Sequence, residues 1–102
     1  MGEFVKVISE AELPPGSCRE AMVSGTAVAL FNVGGTFHAI GNRCVHRGGP
    51  LGQGALEGKL VYCPWHAWTY DVTTGESSVN PDLRVPRFEV KVESGNVFVK
   101  VS

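Results

Sequence analysis

Two short stretches of the chain pair a thiol with an imidazole. They are Cys44-Val45-His46 and Cys63-Pro64-Trp65-His66, with sixteen residues between His46 and Cys63. Thiolates and neutral imidazoles are transition-metal ligands, and four together complete the protein's share of one metal centre. The surroundings suit that use, because Gly48-Gly49-Pro50 and Pro64 let the backbone turn sharply and come close to a cofactor. A zinc-stabilised binding module is one reading. Structural zinc sites, however, usually group cysteine with cysteine and histidine with histidine. Mixed pairs in equal number suit a centre with two chemically different irons. Thiolates hold ferric iron firmly on one side, and imidazoles raise the potential of the other, where an added electron would reside.

Such ligands need a rigid frame, and the pattern around them is that of β structure. Near the C-terminus Phe88, Val90 and Val92 alternate with Glu89, Lys91 and Glu93, as in a strand with one buried face. A Gly95-Asn96 turn is expected next, and Val97, Val99 and Val101 return as the partner strand. Thr26–Val33 is an almost unbroken apolar run, Gly34-Gly35 can make a turn, and 37–40 returns. Weaker strand signals lie at 4–8 and 19–24. Between them Ser9-Glu10-Ala11-Glu12 has the form of a capping box, which Pro14-Pro15 limits to about one turn. No segment keeps a 3.6-residue period. The expected frame is all-β, with a glycine-rich, loop-rich insert between residues 41 and 64.

The two pairs and their flanks, Cys44-Val45-His46-Arg47-Gly48-Gly49-Pro50-Leu51 and Cys63-Pro64-Trp65-His66-Ala67-Trp68, resemble the binding signature of Rieske proteins. The likeness covers essentially the whole chain. It includes the Tyr70-Asp71-Val72-Thr73-Thr74-Gly75 turn and an Asn80-Pro81-Asp82 segment similar to the proline loop that covers a Rieske cluster. The resemblance implies a Rieske-type antiparallel β scaffold, one domain over residues 1–102, with a cluster-binding subdomain at about 42–70. It also implies one 2Fe–2S cluster, with Cys44 and Cys63 on the inner iron and His46 and His66 on the outer iron near the surface.

Departures from one branch narrow the resemblance. Rieske proteins of cytochrome bc complexes join an extra cysteine in each loop as a disulfide, and here Gly49 and Trp65 occupy those places. The serine that donates to a cluster sulfur in that branch is replaced by Trp68, while Tyr70 keeps a hydroxyl at the next such position. Fewer donors leave a reduced cluster less stabilised, so a potential toward the lower end of the Rieske range of about −150 to +300 mV is expected. The chain is thus similar to the ferredoxin components of bacterial ring-hydroxylating dioxygenase systems. That implies an electron-transfer protein rather than an enzyme, meeting a flavoprotein reductase and a terminal oxygenase in turn. The complexes would be transient, at a tip formed by residues 44–51 and 63–68. The small subunit of a nitrite reductase-like complex is the alternative. A self-contained terminal oxygenase is disfavoured, because only His38 remains for a mononuclear iron site.

Composition agrees with a small globular carrier. The chain has 102 residues, a formal net charge of −1 and no Lys/Arg run, which argues against a nucleic-acid partner. No apolar stretch approaches the roughly 20 residues needed to span a bilayer. Neither a secretion signal nor a myristoylation motif is read at the N-terminus, so a cytoplasmic address is expected. Three cysteines make a disulfide framework a poor reading, and Cys18 is expected to be a structural thiol. His38 is read as an ordinary strand histidine. Trp65 is expected to shield the site, meet a partner or simply pack, and Trp68 to pack. Arg43 and Arg47 could meet an acidic partner, and Asp82, Arg84 and Arg87 are read as surface charges.

Overall fold

The computed structural model describes residues 3–44, 49–65, 68–78, 80 and 82–101. Among the described residues nine strands make two antiparallel sheets, and there is no α-helix. The strands are β1 (Val5–Ser9), β2 (Cys18–Val23), β3 (Thr26–Val33), β4 (Thr36–Gly41), β5 (Ala55–Glu57), β6 (Leu60–Tyr62), β7 (Thr69–Asp71), β8 (Arg87–Glu93) and β9 (Asn96–Lys100). Short 3-10 turns lie at Glu10–Glu12 and Leu51–Gln53. The larger sheet has the order β1-β9-β8-β4-β3-β2, and the smaller one β5-β6-β7. No helix among the described residues is long and apolar enough to cross a membrane.

Three hairpin turns follow from residues that tolerate positive φ. Ser24-Gly25, Gly34-Gly35 and Ser94-Gly95 each place both central residues there, the geometry whose twist matches the flanking strands. The last turn differs by one residue from the expected Gly95-Asn96, because Asn96 already pairs with Glu93 and opens β9. Likewise Ser24 belongs to a turn rather than to β2. The Ser9 N–H donates to the Glu12 carboxylate at 3.0 Å, and the 3-10 turn stops there as the two prolines require.

The apolar run of β3 has a clear cause. Val28 and Leu30 point into one core with Ile8, Leu13, Phe37, Val97 and Val99. Ala29 and Phe31 point the other way, into a second core with Ile40, Cys44, Leu51, Val61, Cys63 and Tyr70. A strand covered on both faces needs no polar alternation. The outer hairpin is covered on one side only: Val97 and Val99 are fully buried, whereas Glu89, Lys91 and Glu93 on the other face of β8 are exposed.

The second core lies between the large sheet and the chain between β4 and β8. That segment leaves and rejoins the sheet at one neck, where the Gly41 N–H donates to the Pro86 carbonyl at 2.8 Å and Ile40 pairs with Arg87. A Cβ on Gly41 would lie 3.0 Å from Pro86 Cδ, so the neck is drawn tight. The insert expected to be rich in loops over residues 41–64 therefore holds two short strands, β5 and β6, which β7 beyond it completes as a small sheet.

Candidate metal centre

Each cysteine begins a loop that closes on itself. After β4, Arg43 and Pro50 face each other as an antiparallel bridge, and the Cys44 N–H donates to the Gly49 carbonyl at 2.9 Å. After β6, the Cys63 N–H donates to the Trp68 carbonyl at 2.7 Å, directly before β7 opens. These bonds satisfy the N–H groups of both cysteines. Cys44 and Cys63 are each 2% exposed, form no disulfide among the described residues and belong to the same core. His46 and His66, with Val45, Arg47, Gly48 and Ala67, lie outside the described residues, as does Pro81 of the expected proline loop. Among the described residues no group of three or more His, Cys, Asp or Glu gathers to hold a metal.

The two loops meet at Gly49. A Cβ on this buried glycine would lie 2.6 Å from Cys63 Sγ and 3.2 Å from the Trp65 ring. Gly49 thus links the sites, holding the Cys44 N–H through its carbonyl while its Cα passes beside the other sulfur. The backbone comes close here to a cysteine sulfur of the other loop. The Tyr70 hydroxyl, fully buried in the small sheet's outer strand β7, stands 3.2 Å from Cys44 Sγ. A thiolate accepts such a hydrogen bond far better than a thiol, so a tyrosine aimed at this sulfur suits a metal-bound Cys44. Two buried cysteine sulfurs on apposed loops, one of them facing a hydroxyl, fit an iron–sulfur group held through cysteine.

The other singled-out residues take several places. Trp65 is 58% exposed and lies against Gly49, whereas Trp68 is half-buried and packs on the core beneath the site. Cys18 is structural: its thiol donates to the Gly54 carbonyl at 3.1 Å, and burial pushes its pKa up. Arg84 pairs with Glu76 at 3.3 Å, and Asp82 and Arg87 are exposed. The Asn80 side chain accepts the Asp82 N–H at 3.1 Å, and its carbonyl accepts the Leu83 N–H at 2.9 Å, which shapes the segment after the site.

His38 sits half-buried on β4, within the electrostatic reach of Arg87 and Asp71. Partial burial and nearby Arg87 push its pKa below the ordinary 6.5, against an opposing pull from Asp71. On acidification the unfolded chain therefore takes up this proton first. His38 costs stability fully below its folded pKa, and the cost fades to nothing above the ordinary value. Replacing it with Gln should flatten the stability profile on the acid side of pH 6.5 and leave neutral stability unchanged, as read by denaturant titrations across pH.

Comparison with known proteins places this geometry in context. Residues 3–92 match the Rieske [2Fe-2S] domain. The "Ferredoxin CarAc" of Metapseudomonas resinovorans is 34% identical over 94% of this chain and 92% of its own length. Human "Apoptosis-inducing factor 3" is 37% identical over 89% of this chain, which spans only 15% of that protein. Among solved structures, one described as a complex of reduced oxygenase and oxidized ferredoxin in carbazole 1,9a-dioxygenase superposes with a TM-score of 0.86. The identity there is 32%, over 94% of this chain and 91% of the matched one.

Proposed function

From a chain that belongs to the Rieske 2Fe–2S family, we propose a one-electron carrier that serves a multi-component oxygenase system. It would carry an electron from a flavoprotein reductase to a terminal oxygenase and is not itself an enzyme. When bound, a 2Fe–2S cluster supplies the capacity to take up and release one electron. Cys44 and Cys63 would hold it from the buried core, and His46 and His66 would complete the ligand set. Tyr70 would donate to the Cys44 sulfur, and Gly49 keeps the two loops in contact. The observation that carries the reading is the pair of buried cysteines, each 2% exposed, at the first residues of two apposed loops.

The choice of an oxygenase system is supported by relatives of matching length. The CarAc ferredoxin and the ferredoxin component of a naphthalene 1,2-dioxygenase system align over 92% and 97% of their own lengths. The exposed indole of Trp65, beside the junction of the two loops, offers an aromatic anchor for a docking partner. A cytoplasmic setting and one domain, with a cluster-binding part at about residues 42–70, complete the proposal.

The test is an EPR spectrum of the dithionite-reduced protein, with iron, acid-labile sulfide and zinc assayed on the same sample. A rhombic signal with an average g below the free-electron value, and iron and sulfide each at two per chain, are expected. The reduced protein should then be reoxidised on mixing with a ring-hydroxylating terminal oxygenase. A colourless, EPR-silent protein with stoichiometric zinc would overturn the proposal.

A further inference from the structure

Three contacts from β2 converge on the segment that follows the first ligand pair. Cys18 holds Gly54 through its thiol. Gly52 lies so close to the strand that a Cβ on it would come within 2.6 Å of Glu20 Cγ and 2.9 Å of the Glu20 nitrogen. The third contact is Glu20, whose two carboxylate oxygens are used separately. Oε2 accepts from the Asn42 side-chain amide at 2.7 Å, and Oε1 accepts from the Gln53 amide at 2.6 Å. Asn42 in turn accepts the Gly52 N–H on its side-chain oxygen at 2.8 Å, and its carbonyl accepts the Leu51 N–H at 2.8 Å.

Asn42 stands two residues before Cys44, and Gln53 stands after the loop has closed. One exposed carboxylate therefore ties down both ends of the stretch that carries Cys44 and His46. We propose that Glu20 is a positioning residue for the first metal-binding loop, acting through Asn42 and Gln53 on the segment 42–53. The inference rests on the proposed cluster reading only for its consequence, the retention of iron. The clamp itself is independent of it.

The charge matters as well as the shape. Hydrogen bonds from Gln53 and Asn42 hold the Glu20 carboxyl below its usual range, so it stays ionised and both bonds stay charge-assisted. Arg19 and Ala21 point to the other side of β2 and cannot take over this role. The arrangement also has a built-in compensation. If positions 20 and 53 exchange residue types, the amide then on β2 can accept from Asn42 with its oxygen. Its nitrogen can donate to the carboxylate then carried by the 3-10 turn.

The test uses three variants of the full, cluster-loaded chain: Glu20→Ala, Gln53→Glu, and Glu20→Gln combined with Gln53→Glu. Bleaching of visible absorbance in EDTA reads iron release, and hydrogen exchange reads the Leu51 and Gly52 amides. Each of the first two variants should release iron about three- to tenfold faster than the parent and lose amide protection at Leu51 and Gly52. The exchanged pair should return both readouts to within about twofold of the parent. Parental rates in the first two variants, or an exchanged pair no slower than Gln53→Glu, would overturn the clamp. Should the parent carry no iron, the cluster reading fails by itself. Hydrogen exchange then decides: protection lost in Glu20→Ala and regained in the exchanged pair supports the clamp, and unchanged protection overturns it.

Discussion

Replacing Gly49 with alanine is expected to leave the protein folded but with most of its iron–sulfur cluster lost. The added Cβ would lie 2.6 Å from Cys63 Sγ, closer than two such atoms can approach, and 3.2 Å from the Trp65 ring. The Trp65 indole is largely exposed and can move aside. Cys63 cannot, because its N–H is tied to Trp68 and its side chain is enclosed in the core. Either the sulfur or the Gly49 backbone must shift, and a backbone shift weakens the bond that fixes Cys44. Both thiols are disturbed by one methyl group. Iron content per chain should fall at least about tenfold, the scale on which support around metal ligands affects affinity. The six-stranded sheet shares none of these atoms, so its circular dichroism should stay as in the parent. A Gly49→Ala protein with full iron and sulfide and an unchanged EPR spectrum would show that the loops do not meet around the cluster.

The second large effect concerns potential rather than retention. Tyr70→Phe removes a hydroxyl that stands 3.2 Å from Cys44 Sγ and leaves the ring, which fills the core, in place. A donor to a ligand sulfur draws charge from it, and reduction adds negative charge, so the bond favours the reduced form. Its loss should lower the potential. For a one-electron couple a tenfold change in equilibrium is about 59 mV, and a charge-assisted bond of this kind supports a fall of about 50 to 100 mV. Redox titration followed by visible circular dichroism checks it, with iron content as the control. A potential equal to the parent's at full iron loading would mean that the hydroxyl serves packing alone.

Much of this was legible in the sequence, for reasons particular residues make plain. The mixed Cys/His pairs need only local spacing to be seen, and the structure draws both cysteines into one core. The outer hairpin announced itself because Val97 and Val99 have one dry side while their neighbours do not. The small sheet did not, since β5, β6 and β7 have three residues each and so short a run sets no period. Glu20 was equally hidden. Its partners lie 22 and 33 residues away, and nothing in Arg19-Glu20-Ala21 separates a clamp from an ordinary surface charge. The shift of the last turn to Ser94-Gly95 had a similar cause. Both Ser-Gly and Gly-Asn can adopt positive φ, and the register with Glu93 decided between them.

The neck at Gly41 and Pro86 has a consequence for how such a protein can be altered. The whole segment from 42 to 85 enters and leaves the large sheet through two adjacent residues joined by a hydrogen bond. To the sheet, that segment is equivalent to a long loop closed at its base, and the entropy of closing a loop grows only slowly with its length. Segments of different length, carrying other ligands or another docking tip, could be spliced in there. The requirements on any replacement are few: an apolar underside to meet Ala29 and Phe31, and ends that fit a glycine and a proline. The sheet works as a socket, and redox character can be exchanged without redesigning what it plugs into.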